Sequence, residues 1–75
     1  MDTMVQPLQL ALAERMKSVR DRACLTQTEA AKEAGIVLST YFLAEAYGRV
    51  GLRARRKIEA WLSRKERSLV RQTTA

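Results

Sequence analysis

Histidine is absent from this chain of 75 residues, which has a single cysteine, Cys24, one proline and three glycines. A lone cysteine permits no intrachain disulfide. Without histidine, the thiol–imidazole pairing of cysteine proteases and most zinc sites are excluded as well. Cys24 is accordingly expected to be a small, half-buried residue. Scarce glycine and proline, with no runs of alternating β-branched residues, point away from sheet and toward an all-α fold. Apolar stretches extend only a few residues, too short for a membrane span. The Met-Asp-Thr start carries no basic region ahead of an apolar core, so no export signal is expected and the location expected is cytoplasmic. A glycine-rich phosphate loop and a paired-carboxylate cleft are also lacking, which argues against an enzyme. No cofactor, metal or small-molecule effector is called for.

Hydrophobic residues make up 47% of the chain, enough to set aside a disordered polymer. Its length suits one domain, residues 1–75, with a modest core and 71–75 as a frayed tail. The net charge is +6 and is unevenly placed. Residues 1–48 hold five basic and six acidic side chains, whereas residues 49–75 hold nine and two. A basic segment on a nearly neutral body suits a polyanion, most often nucleic acid.

Val5, Leu8, Leu12, Met16, Val19 and Ala23 recur at steps of three and four, one stripe of an amphipathic helix over about residues 4–22. Thr3 with Gln6 is a candidate cap, and Pro7 falls in the first turn, where its missing N–H does little harm. Thr26 and Glu29 form a capping box that starts a helix at Gln27; Gly35 ends it near Ala34. A third helix is expected from about Leu38 to Tyr47, with Tyr41 and Ala44 facing the second. Ala30, Ala31 and Ala34 lower the side-chain ridge so that these two helices can cross closely after a tight turn, forming a helix-turn-helix. Beyond Gly48 and Gly51, Leu52–Leu62 reads as a helix whose apolar side is Leu52, Ile58, Trp61 and Leu62. Ser63 with Glu66 either caps a fifth short helix, near Arg64 to Val70, or lies inside one long helix. The expected fold is thus all-α, with four to five short helices.

Taken together, "LAERMKSVRDRACLTQTEAA", "AAKEAGI" and "STYFLAEAYG" resemble the lambda-repressor/Cro-like helix-turn-helix family over about residues 12–62. Three positions depart from the family pattern. Cys24 stands where glycine is usual, Val37 where a serine or threonine often caps the recognition helix, and Gly48 falls one residue later than usual after Glu45. A one-residue shift, with Ser39 as the cap, would accommodate them.

The resemblance implies that the second helix of the motif lies in the major groove with its N-terminal residues on base edges. Gln27 would approach a phosphate or brace the recognition helix, and Leu38, Ser39, Thr40 and Leu43 would face the groove. Ser39 and Thr40 discriminate weakly, and the two leucines can only pack against thymine methyls. Arg49 would supply a guanine reader just past the helix. Arg53, Arg55, Arg56 and Lys57 would clamp phosphates. Cations at a helix start cost about 0.3–1 kcal/mol each through the helix dipole, which suggests a use for them. Val37, Leu38, Phe42 and Leu43 have a competing use as buried residues, against the chain's own core or a partner, and for Phe42 burial is the expectation.

One motif offers little contact, and family members pair across a two-fold axis. Trp61, Leu62, Leu69 and Val70 are the expected dimer surface, although Trp61 also suits a core. The function expected is a homodimeric, sequence-specific repressor of a plasmid, phage or similar compact promoter, its partners being double-stranded operator DNA and a second copy of itself. A protein-interaction module such as an antitoxin or anti-activator, gripping through the apolar third helix, is the main alternative. A third is a basic amphipathic helix, residues 52–70, lying on anionic membranes.

Overall fold

A computed structural model describes the backbone of residues 7–74 and the side chains of residues 11–71. Within them the chain is all-helical: α1 (Pro7–Arg22), α2 (Gln27–Ala34), α3 (Leu38–Tyr47) and α4 (Leu52–Thr74), with no strand. The expected cap of Thr3 with Gln6, Val5, and the side chain of Leu8 lie outside the described residues.

Leu12, Met16 and Val19 of α1 are all buried, as their spacing demands. Arg20 and Arg22 occupy the last turn, where cations offset the negative end of the helix dipole. The helix closes with Cys24 N–H donating to the Asp21 carbonyl at 3.1 Å and Leu25 N–H to Arg20 at 3.0 Å. α2 closes in the same way, Gly35 N–H donating to Lys32 at 3.2 Å and Ile36 N–H to Ala31 at 3.0 Å. Both are Schellman motifs, which require a left-handed residue at the corner. Gly35 takes φ 77° without a Cβ to clash, whereas Cys24 holds φ 58° with one. Leu25 and Ile36, the residues after the two corners, turn back onto the core. Cys24 itself is exposed rather than half-buried, because the left-handed corner aims it outward.

At its start α2 carries the capping box in full. Glu29 N–H donates to Thr26 Oγ1 at 3.1 Å and Thr26 N–H to Glu29 Oε1 at 2.8 Å. Ala30, Ala31 and Ala34 are buried, and the absence of longer side chains lets α2 lie close to both α3 and α4. α3 begins at Leu38 behind Val37, whose extended backbone makes it the N-cap although it has no side-chain acceptor. Ser39 therefore does not cap the helix, and the one-residue shift does not occur. Gly48, at φ 71°, ends α3 with its N–H on the Ala44 carbonyl at 2.8 Å.

A single helix of 23 residues follows, so Ser63 and Glu66 lie inside α4 and cap nothing. At about 1.5 Å per residue it is some 34 Å long. It extends to Thr74, through most of the segment expected as a frayed tail. Its buried side is Ile58, Trp61, Leu62 and Leu69; Leu52, expected on that side, is 65% exposed, lying about 120° around the helix from Ile58.

Trp61 is the hub of the core. Its ring meets Tyr41 edge-on at 6.0 Å, and its indole N–H donates to Glu33 Oε1 at 3.1 Å. The stripe expected to face a second copy is thus consumed within the chain. Trp61, Leu62 and Leu69 are 1%, 0% and 9% exposed, and of the four expected interface residues only Val70 reaches the surface. The reason is scale. In a domain this small, three short helices cannot enclose a core unless the longest helix gives them its apolar side. The same burial removes that side of residues 52–70 from any membrane surface. No helix among the described residues is long and apolar enough to cross a membrane.

Candidate nucleic-acid interface

α3 buries Tyr41, Ala44 and Glu45. At 100° per residue, the opposite arc carries Ser39, Leu43 and Ala46, with Leu38 and Phe42 on one flank and Thr40 and Tyr47 on the other. Leu38, Phe42 and Leu43 are 46%, 48% and 45% exposed. Ser39 lies at the surface, and Thr40 is half-buried. Phe42, expected inside, is thus on the open arc, because Tyr41 one residue earlier fills the position against the core.

The helix is held from behind by Glu45. Arg20 on α1 donates Nε to Glu45 Oε2 at 2.9 Å and Nη2 to Oε1 at 3.0 Å, and Gln27 donates Nε2 to the same Oε1 at 3.0 Å. Arg20 Nη1 also reaches the Leu25 carbonyl at 3.2 Å, tying in the corner after α1. Burial by itself would raise the Glu45 carboxyl; the hydrogen bonds from Arg20 and Gln27 outweigh it and hold the group below its ordinary range. The same bonds keep the Arg20 guanidinium more firmly charged than usual. Burial pushes the nearby Tyr41 phenol well upward, and its hydroxyl ends beside Glu45 without a hydrogen bond of good geometry. Of the two uses expected for Gln27, the structure realises the brace. Its amide is engaged with Glu45, while its stem lines shallow depressions with Leu38, Ser39, Phe42 and Leu43 on one side and with Lys17 and Ala46 on the other.

The expected cations divide by face. Arg49 is exposed immediately after the Gly48 corner, and Arg53 and Arg56 are exposed at the start of α4. Arg53 and Lys57, four residues apart, share a face. Lys57 Nζ stands 3.5 Å from the Gly35 carbonyl, so this face adjoins the turn that launches α3. Arg55 lies about 200° around the helix from Arg53. Its Nε donates to Glu59 Oε2 at 3.1 Å, and it lines a cleft with Ala11, Leu12 and Arg15 of α1. Arg55 is therefore turned from the Arg53–Lys57 face that was expected to hold it. Further along, Arg64 reaches the Glu33 carbonyl at 3.4 Å and Lys65 the Glu33 carboxylate at 3.2 Å. The Trp61 indole and Lys65 together hold the Glu33 carboxyl below its usual range.

Lys17 and Arg20, weaker candidates on the first helix by sequence, divide: Lys17 lines a depression with Phe42 and Ala46 at the edge of the α3 arc, whereas Arg20 is engaged with Glu45. What the sequence does not show is that Glu45 is the acceptor Arg20 and Gln27 share, since it lies 25 and 18 residues from them with no local signal to link them. No protein-family model, curated protein or solved structure matches the chain.

Proposed function

We propose that the chain is a sequence-specific DNA-binding repressor that lays α3 in the major groove and binds a two-fold symmetric operator as a homodimer. The observation that carries this reading is the arrangement around α3. A helix of ten residues, about 15 Å long, turns an unobstructed arc outward while Arg20 and Gln27 brace it from behind through Glu45. A groove about 12 Å wide admits such a helix. Lys17, Arg53 and Lys57 serve as phosphate partners, Arg49 just past the helix serves as the base reader, and Val37 leaves the first N–H groups of α3 without a side-chain acceptor. The resemblance to the lambda-repressor/Cro-like family supports the same docking. Pairing across a two-fold axis rests on the small contact area of one motif, since only Val70 of the expected dimer surface lies outside the core.

Selection of bound duplexes from a random pool tests the reading. A symmetric consensus, with affinity that falls steeply as salt rises, is the expected result. A second reading draws on one specific observation: Val37, Leu38, Phe42, Leu43 and Tyr47 form an exposed apolar set along α3. A protein-interaction module such as an antitoxin would use that set against a partner. A salt-insensitive protein complex, with no affinity for duplex DNA, would favour it.

A further inference from the structure

The open arc of α3 has a narrow chemistry. Within Leu38–Tyr47 the only charged side chain is Glu45, which is 5% exposed and bound to Arg20 and Gln27. The arc contains no Arg, Lys, Asn or Gln, the side chains that form paired hydrogen bonds with guanine or adenine. Gln27, the nearest amide, donates to Glu45. What the arc offers instead is the branched ends of Leu38 and Leu43 and the ring of Phe42, each close to half exposed. Ser39 and Thr40 add hydroxyls that accept several base edges. Around this uncharged strip stand Lys17, at its edge beside Phe42, and Arg49 and Lys57, near the two ends of the helix. An apolar strip with cationic borders complements a groove with anionic walls whose floor shows one apolar group, the C5-methyl of thymine.

We infer that α3 reads duplex DNA through the 5-methyl groups of thymine, with Leu38 and Leu43 as the contacting side chains. The inference rests on the DNA-binding reading above and adds the chemical class of the group recognised. Hydrogen bonding through Ser39 and Thr40 is secondary, so the preference follows the methyl rather than the pairing pattern of the base. Two consequences separate this from ordinary base readout. Deoxyuridine, which lacks the methyl and keeps every hydrogen-bonding group of thymine, is a poor substitute at the contacted positions. 5-Methylcytosine, which restores the methyl on a different base, recovers part of the affinity that cytosine loses there.

The test uses the full chain and the duplex selected from a random pool. Affinity is measured by fluorescence anisotropy at one salt concentration, with each thymine of a half-site replaced in turn by deoxyuridine. At one or two thymines the replacement weakens binding about fourfold each, the factor expected for one buried methyl. Leu43→Ala or Leu38→Ala binds the thymine duplex more weakly and no longer distinguishes it from the deoxyuridine duplex at its own position. Both leucines are exposed, and unchanged thermal unfolding of the variants establishes that the effect is not one of folding. If the chain binds a selected duplex and every deoxyuridine form binds equally, the methyl inference is overturned while the DNA-binding reading stands. A consensus without thymine in the half-site overturns it in the same way. If no duplex is selected and none is bound, both fall.

Discussion

Arg20 and Glu45 form a bidentate pair at 2.9 and 3.0 Å that joins the end of α1 to the back of α3. The Glu45 side chain is 2% exposed and that of Arg20 19%, so the pair is sheltered on one side only. Its effect is orientational. It sets the rotation of α3 about its own axis, and with it which residues face outward.

Glu45→Gln should lower stability at pH 7 by about 1–3 kcal/mol, the cost of degrading hydrogen bonds to a charged group. The Glu45 carboxyl titrates lower in the folded chain than its ordinary value of about 4.3. Its contribution is therefore complete above that value and disappears as pH falls through the lower folded value. Glu33 and Glu66 are depressed as well, by the Trp61 indole and by Arg15 respectively, and add to acid unfolding over the same window. Denaturant titrations at pH 7 and pH 3 should show the gap between parent and variant narrowing at the lower pH. A gap of equal size at both would contradict the assignment.

Cys24→Gly should stabilise the chain. Cys24 occupies the left-handed corner of the same motif in which Gly35 sits at ease. Relief of the Cβ clash is worth about 1–2 kcal/mol and is offset in part by the greater freedom of glycine when unfolded. A net gain of about 0.5–1 kcal/mol, a few degrees in thermal midpoint, is expected.

Ala30 is fully buried at the face of α2 that packs against the core. Ala30→Leu should cost about 1–3 kcal/mol by forcing the helices apart. A neutral result by thermal melting would mean that the alanines of α2 do not set the approach of its neighbours.

Trp61→Ala should remove about 3–5 kcal/mol, most of the stability of a domain of this size. Because Trp61 is 1% exposed within one chain, the loss should not depend on protein concentration. Concentration-dependent melting of the parent, abolished in the variant, would return Trp61 to the dimer surface.

The cations should separate in salt titrations of DNA binding. Arg53→Ala and Lys57→Ala should each reduce the slope of log affinity against log salt by about 1. Arg55→Ala should change it less, since Arg55 pairs with Glu59 and faces α1. Arg49→Ala should reduce selectivity among sequences rather than the slope.

Much of this fold is legible in the amino-acid order alone. The Thr26–Glu29 box, the Gly35 corner and the bounds of α2 and α3 depend on contacts between residues three to five apart, which the chain states locally. The all-helical fold and the buried alanines follow from the same short-range patterns. What α4 does with its apolar side is not legible, because the stripe of Ile58, Trp61, Leu62 and Leu69 is the same whether it covers the chain's own core or a second copy. Nor is the placement of Phe42 and Arg55, which turns on a rotation of about 100° per residue about two helix axes. That rotation is decided by Arg20 meeting Glu45 and Trp61 meeting Glu33 and Tyr41, across separations of 20 to 28 residues. Local hydrogen bonding determines where each helix begins and ends. Only the closing of the core, which must hide the largest apolar side chains of a short chain all at once, decides which way each helix faces.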